Sequence, residues 1–257
     1  MGTAMDESIR RFDIGHFKCT AIADTDQGAR NVLLLEGAQR ILIDTGVGSN
    51  DPGNPGRLFA RLEQAGVESE SIDTVILTHA DFDHIGGATD GRHLAFPRAE
   101  HSIMRVEVDF WKQRPERLAP SPLYDEAFRL RVNAVPPTAL EALEHKLSLV
   151  DGLLANVASG VTMIAAPGHT PGNSVVRIES QGNTLLVVAD LFYRPEDLAT
   201  RDWVSQYDYD PNLVLETRRS LLDEAVANRT LLMAYHMPFP GLGRVKRSGH
   251  AWEWVAA

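Results

Sequence analysis

The chain has 257 residues, 44% of them hydrophobic, 7% aromatic and 23% charged, and 25 Lys plus Arg against 35 Asp plus Glu give a net charge of −10. An acidic balance without a basic block argues against nucleic acid as a partner, and the single cysteine, Cys19, excludes a disulfide framework or a thiolate zinc cluster. No run is long and apolar enough to span a membrane, and the polar start does not read as a signal peptide, so the expectation is a soluble, cytoplasmic protein folded as one domain over 1–257.

Residues 1–4, ahead of Met5, read as an expression remnant and are set aside. Short apolar runs bounded by turn residues then recur at 31–35, 41–43, 74–77, 161–165, 174–178, 184–188 and 231–234. Their length and β-branched content predict strands. After the second run, the turn-rich stretch 51–56 leads into a helix predicted over 57–65 and stopped by Gly66. Residues 114–146 break the rhythm, with Pro115, Pro120, Pro122, Pro136 and Pro137 set between short helical pieces. Two readings fit that stretch, a plain surface insertion and a lid or wall over a pocket. Later, Asp210 as N-cap and Pro211 in the first turn open a second helix with Val214, Leu215, Leu221, Leu222 and Ala225 on one face. Strands mixed with helices predict a layered α/β fold.

The chemistry concentrates at strand ends. Thr78-His79-Ala80-Asp81-Phe82-Asp83-His84-Ile85-Gly86-Gly87 follows the run at 74–77 and holds four metal-ligand side chains. One such histidine alone would be an ordinary packed or capping residue, but four adjacent ligand groups without a cation would be costly to pack together. Further candidates follow other predicted strands: His169 in Ala166-Pro167-Gly168-His169-Thr170-Pro171-Gly172, Asp190 after 184–188, and His236 after 231–234. Imidazole and carboxylate without thiolate suit zinc, manganese or iron in an open catalytic site. His16, His93, His101, His145 and His250 lie outside these motifs and read as solvated or packed, although His250 near Trp252 and Trp254 leaves a pocket-lining role open; Cys19 reads as a small core residue.

These segments, with Asp44-Thr45-Gly46 after the run at 41–43, resemble the metallo-β-lactamase superfamily from about residue 31 to 245. The resemblance implies an αββα sandwich with a dinuclear metal site at one edge. By position, His79, Asp81 and His169 would hold one metal and Asp83, His84 and His236 the other. Asp190 would bridge them, and Asp44 would orient a ligand imidazole. Position 81 departs from the pattern, being Asp where the superfamily usually has His. Flavo-diiron relatives place Glu there, so the expected pair of divalent ions is zinc, with manganese or iron as alternatives.

Two details narrow the likeness. Tyr193 lies three residues after Asp190, as in the N-acyl homoserine lactonases, where such a tyrosine hydrogen-bonds the substrate carbonyl; a packed aromatic is the plainer reading. The turn after His236, Met237-Pro238-Phe239-Pro240-Gly241, resembles the methyl parathion hydrolase group, as do Asp208-Tyr209-Asp210-Pro211 and Thr217-Arg218-Arg219. The expected activity is hydrolysis of a lactone or small carboxylic ester by a water that two metals acidify, with Asp83 or Asp81 relaying a proton and Tyr193 donating to the oxyanion. The alternatives are a phosphotriesterase of the methyl parathion hydrolase type, a di-iron redox protein and a metal-poor binding protein. The expected partner is a small-molecule ester or lactone, with no nucleic acid and no membrane, and a homodimer is left open.

Overall fold

The computed structural model describes residues 8–27 and 29–257, and residues 1–4 lie outside that set. The first half forms one sheet from β1 (Ile9–Ile14), β2 (Phe17–Ala23), β3 (Asn31–Glu36), β4 (Arg40–Ile43), β5 (Thr74–Ile76), β6 (Glu100–Met104) and β7 (Leu147–Val150), in that spatial order. The second sheet contains β8 (Leu154–Ala158), β9 (Val161–Ala165), β10 (Ser174–Ser180), β11 (Asn183–Val187), β12 (Leu231–Met233), β13 (Leu242–Ser248) and β14 (Ala251–Ala256), also in sequential order.

Side-chain alternation explains why the sheets stack. On β3, Leu33 and Leu35 point toward the second sheet and meet Met163, Val176, Ile178 and Val187. Val32 and Leu34 point the other way, toward Leu58 and Leu62 of α1 (Leu58–Ala65) and toward Trp111 of α3 (Arg105–Lys112). The outer face of the second sheet, through Leu186 and Val175, packs on Leu222 and Ala225 of α6 (Pro211–Asn228) and on Leu198 of α5 (Pro195–Leu198). Helix, sheet, sheet and helix layers follow, which is the αββα arrangement. Cys19 is buried in the layer between the sheets, where burial pushes its thiol up to about 12.

The predicted strands form with ends moved by one or two residues, and the predicted helices form as α1 and α6. Asp210 accepts hydrogen bonds from the backbone N–H groups of Asn212 and Leu213, so the predicted cap operates. The short helical pieces expected within 114–146 are corrected. A 17-residue helix, α4 (Glu126–Ala142), runs through both Pro136 and Pro137, capped at its start by Asp125. The two prolines remove two backbone donors, but they lie on the buried stripe with Val132, Ala139 and Leu140, and that packing holds the helix together. Strands β1, β2, β6, β7, β8, β13 and β14 went unpredicted. Among the described residues, no helix is long and apolar enough to cross a membrane.

Candidate metal centre

Parallel pairing brings the donor loops together. Ile43 of β4 lies opposite Ile76 of β5, so Asp44 and the 78–81 segment leave the sheet side by side. In the other sheet, Val187 of β11 lies opposite Met233 of β12, which sets Asp190 near His236. All four segments exit at carboxyl ends, where α/β sheets collect ligands. Directly after Asp81 the chain winds into a single helical turn, α2 (Phe82–Ile85), with the backbone N–H groups of His84 and Ile85 both donating to Asp81 O. Gly87 then passes against Thr45, where an added Cβ would stand 2.0 Å from the Thr45 carbonyl oxygen.

Six of the seven predicted donors converge in two groups, and Asp81, expected with His79 and His169, falls outside both. His79, His169 and Asp190 offer ligand atoms within 4.8 Å of one another, and so do Asp83, His84 and His236. Asp190 faces both groups, with Oδ1 3.0 Å from His84 Nε2 and Oδ2 3.5 Å from His169 Nε2 and 3.3 Å from His236 Nε2. Asp81 Oδ2 is 3.2 Å from His169 Nε2 and 4.0 Å from His79 Nε2. Asp83 Oδ2 lies 3.6 Å from His236 Nε2.

Each imidazole is held by its other nitrogen. His84 Nδ1 donates to Asp44 Oδ2 at 2.9 Å. Thr78 gives its hydroxyl proton to Asp44, so His79 Nδ1 donates to the Thr78 oxygen at 3.1 Å. His169 Nδ1 donates to Asp208 Oδ1 at 3.1 Å, and His236 Nδ1 to the Ala29 carbonyl at 3.0 Å. With the Nδ1 atoms so engaged, the four Nε2 atoms face the cluster, each within 4.0 Å of an Asp81 or Asp190 oxygen. Buried side-chain atoms without hydrogen-bond partners include His79 Nε2, His84 Nε2, Asp81 Oδ1 and Asp190 Oδ1. Such a cluster is costly unless a cation fills it, so these residues fit divalent metal.

The electrostatics agree. Burial opposes charge on His84, yet Asp190 and Asp44 lift its pKa well above the ordinary histidine value. Burial opposes charge on His169 too, but Asp208 and Asp81 lift it to about 9. Burial would raise the Asp81 pKa, but Arg117 and His169 hold it far below the carboxylate range. The surroundings therefore ask for positive charge at the Nε2 atoms, which a cation supplies as well as a proton does. His79, pressed by burial and by His84, is pushed the other way and stays neutral.

Beside the candidate donors lies a cavity of about 270 Å³ lined by Arg30, Phe82, Phe128, Val132, Tyr193 and Tyr207 together with Asp81, Asp83, His169, Asp190 and His236. Phe128 and Val132 come from α4. The Tyr193 hydroxyl is 3.2 Å from His169 Nδ1; because that nitrogen gives its proton to Asp208, the tyrosine proton is not used there. Burial and the charges of Asp190 and Asp208 keep the phenol protonated, with its pKa well above the usual value. Of the remaining histidines, His16, His93, His145 and His250 are exposed and His101 is buried on β6, so none joins the donor set.

Sequence reasoning missed several residues that shape the site. Glu107 on α3 is fully buried and accepts from Ala80 N at 3.0 Å, Trp111 Nε1 at 2.9 Å, Thr170 Oγ1 at 2.7 Å and Gly172 N at 2.9 Å. One carboxylate thereby ties the loop of His79 and Asp81 to the loop of His169. Gly172 permits this approach, since an added Cβ there would lie 2.4 Å from Glu107 N. Arg117 donates to Asp81, Arg30 Nε sits 3.5 Å from Asp83 Oδ2, and Arg218 donates to the Leu191 carbonyl next to Asp190. These roles close over long sequence separations and leave no local pattern; Asp208 stood in a segment noted only for its likeness to methyl parathion hydrolases.

Comparison with known proteins gives the same frame. The family profile of the metallo-beta-lactamase superfamily matches residues 25–236. A protein of Mycobacterium tuberculosis named as a probable metallo-hydrolase is 28% identical over 193 residues, which are 63% of this chain but only 56% of that protein. An N-acyl homoserine lactonase of Bacillus thuringiensis is 24% identical over 216 residues, 76% of each chain. Among solved structures, AidC, described as a dizinc quorum-quenching lactonase in complex with a homoserine product, superimposes with a TM-score of 0.89 at 26% identity over 97% of both chains. By the extent of the family match, which overlies the candidate donor set, the chain belongs to the metallo-β-lactamase superfamily.

Proposed function

We propose that this protein is a metal-dependent hydrolase that opens lactones of the N-acyl homoserine type, using two divalent ions, zinc in the first instance. In this reading His79, Asp81 and His169 would hold one ion and Asp83, His84 and His236 the other, with Asp190 as a donor available to either. When bound, two such ions supply Lewis acidity to an ester carbonyl and make a nearby water acidic enough to act as nucleophile near neutral pH. The protein's own groups do the rest. Asp44, Thr78, Asp208 and the Ala29 carbonyl fix the imidazole tautomers and ring directions. Tyr193 presents a phenol proton to the ester oxygen, and that bond strengthens as negative charge develops. Asp83, with Oδ2 between His236 and Arg30, is the carboxylate placed to take up a proton at the site.

The observation that carries the lactone reading is the cavity. Its lining joins the candidate donors and Tyr193 with the apolar side chains of Phe82, Phe128 and Val132, a mixture suited to a small ester with an acyl chain. The segment 114–146 supplies part of that lining through α4, which is the role we assign it. The likeness to lactonases in sequence and in structure supports the same choice. The test is a side-by-side assay of an N-acyl homoserine lactone and a paraoxon-like phosphotriester on one zinc-loaded preparation. Preference for the lactone by at least about tenfold in kcat/KM, a difference of about 1.4 kcal/mol, is the expected result; preference for the triester moves the protein to the other branch.

A further inference from the structure

Asp81 stands where the superfamily resemblance calls for imidazole, and the structure supplies a partner for the extra negative charge. Arg117 arrives from the segment between α3 and α4, with its side chain only 5% exposed. Its Nη2 donates to Asp81 Oδ2 at 3.2 Å and to the Tyr207 carbonyl at 2.9 Å. The next residue, Leu118, is buried against Val47, Phe82 and Val132, which fixes the backbone that carries the guanidinium. Asp81 Oδ1 is left buried and without a hydrogen-bond partner.

We infer that Arg117 is a positioning residue that makes Asp81 an acceptable replacement for histidine in the metal centre, so that residues 81 and 117 function as one unit. The inference rests on reading Asp81 as a ligand. Imidazole is a neutral ligand, and an aspartate paired with a buried guanidinium is neutral overall. The same oxygen, Oδ2, accepts from Arg117 at 3.2 Å and faces His169 Nε2 at 3.2 Å and His79 Nε2 at 4.0 Å, so the guanidinium holds the carboxylate against the donor cluster. A lone guanidinium in the same place would be a buried charge facing two further cations, which is strongly unfavourable. The same contact ties the 114–146 segment and the Tyr207 loop to the centre, so the cavity wall and the donors are fixed relative to each other. Lysine is a poor substitute, because a point charge on a flexible stem does not hold two acceptors in one plane.

The test is a double-substitution cycle on the full chain, reading zinc affinity by chelator competition and thermal midpoint in the metal-free state. With Arg117 present, Asp81→His should weaken the weaker of the two zinc sites by at least about tenfold, within the range seen when partners of metal ligands are altered. It should also lower the metal-free midpoint, because Arg117 then lacks its partner. In the Arg117→Met background, the same Asp81→His change should cost less than about threefold in affinity and restore the midpoint. Equal cost in both backgrounds overturns the inference. Arg117→Gln serves in place of Arg117→Met if the latter does not fold. Asp81→Asn separates the two layers of the argument: two zinc ions bound at wild-type affinity would remove Asp81 from the ligand set, whatever the cycle gives.

Discussion

Glu107 offers a sharp test of how the centre is held, because it touches no proposed metal ligand side chain. Glu107→Gln keeps the length and volume of the side chain but has one acceptor oxygen in place of two. That oxygen can still serve Ala80 N and Trp111 Nε1. The new amide NH₂ then faces Thr170 and Gly172, which donate at 2.7 Å and 2.9 Å to the native carboxylate. Thr170 can turn its hydroxyl to accept, whereas Gly172 N–H cannot and is left buried without a partner. An unsatisfied buried donor costs about 1–3 kcal/mol, and exchanging a charged acceptor for a neutral one weakens the retained bonds by up to about 1 kcal/mol each. Burial already raises the Glu107 pKa, so relief of that desolvation returns part of the loss. A net cost of about 2–4 kcal/mol follows, or roughly 5–15 °C in thermal midpoint for a chain of this size. Because the broken links join the loop of His79 and Asp81 to the loop of His169, one metal should be lost preferentially. Calorimetric unfolding with elemental analysis of the same sample checks both parts. A variant with wild-type midpoint and full metal content would refute the brace.

Other consequences follow from the same geometry. His169→Ala should lower metal content as well as activity, read by elemental analysis, because it removes a donor whose Nε2 lies between Asp81 and Asp190; retention of two ions and of turnover would strike it from the set. Tyr193→Phe should depress lactone turnover by at least about tenfold with metal content unchanged, whereas loss of metal instead would make the hydroxyl a support for His169. The manganese-to-zinc affinity ratio should fall in the Asp81→His/Arg117→Met protein relative to wild type, since an oxygen ligand favours the harder ion; an unchanged ratio means position 81 does not set metal choice. Burial pushes the His101 pKa down from 6.5 to about 4. Its neutral form therefore contributes stability that is complete above pH 6.5 and is lost as pH falls toward 4, by about 3 kcal/mol. Urea unfolding of wild type and His101→Leu should diverge by that amount across this window, and parallel curves would contradict it.

The candidate donors were legible because their residue types cluster locally. His79, Asp81, Asp83 and His84 lie within six residues, and the proline and glycine turn around His169 marks a strand end. The strands feeding these loops carried apolar runs that periodicity can find. What escaped was set by distant closure or by edge position. Strands β1 and β13, with charged residues exposed along Arg10–Arg11 and Arg244–Lys246–Arg247, look polar until they are paired. Pro136 and Pro137 argue locally against a helix, and only burial against the core reverses that preference. Arg117 meets Asp81 across 36 residues and Glu107 meets Gly172 across 65, so nothing in either neighbourhood announces the contact.

The most direct measurement is a zinc titration of metal-free protein that follows ring opening of an N-acyl homoserine lactone by proton release. The account predicts no turnover without metal and a rise that levels off at two zinc ions per chain. A plateau at one ion, turnover that persists without metal, or a fully loaded protein that leaves the lactone intact would contradict it.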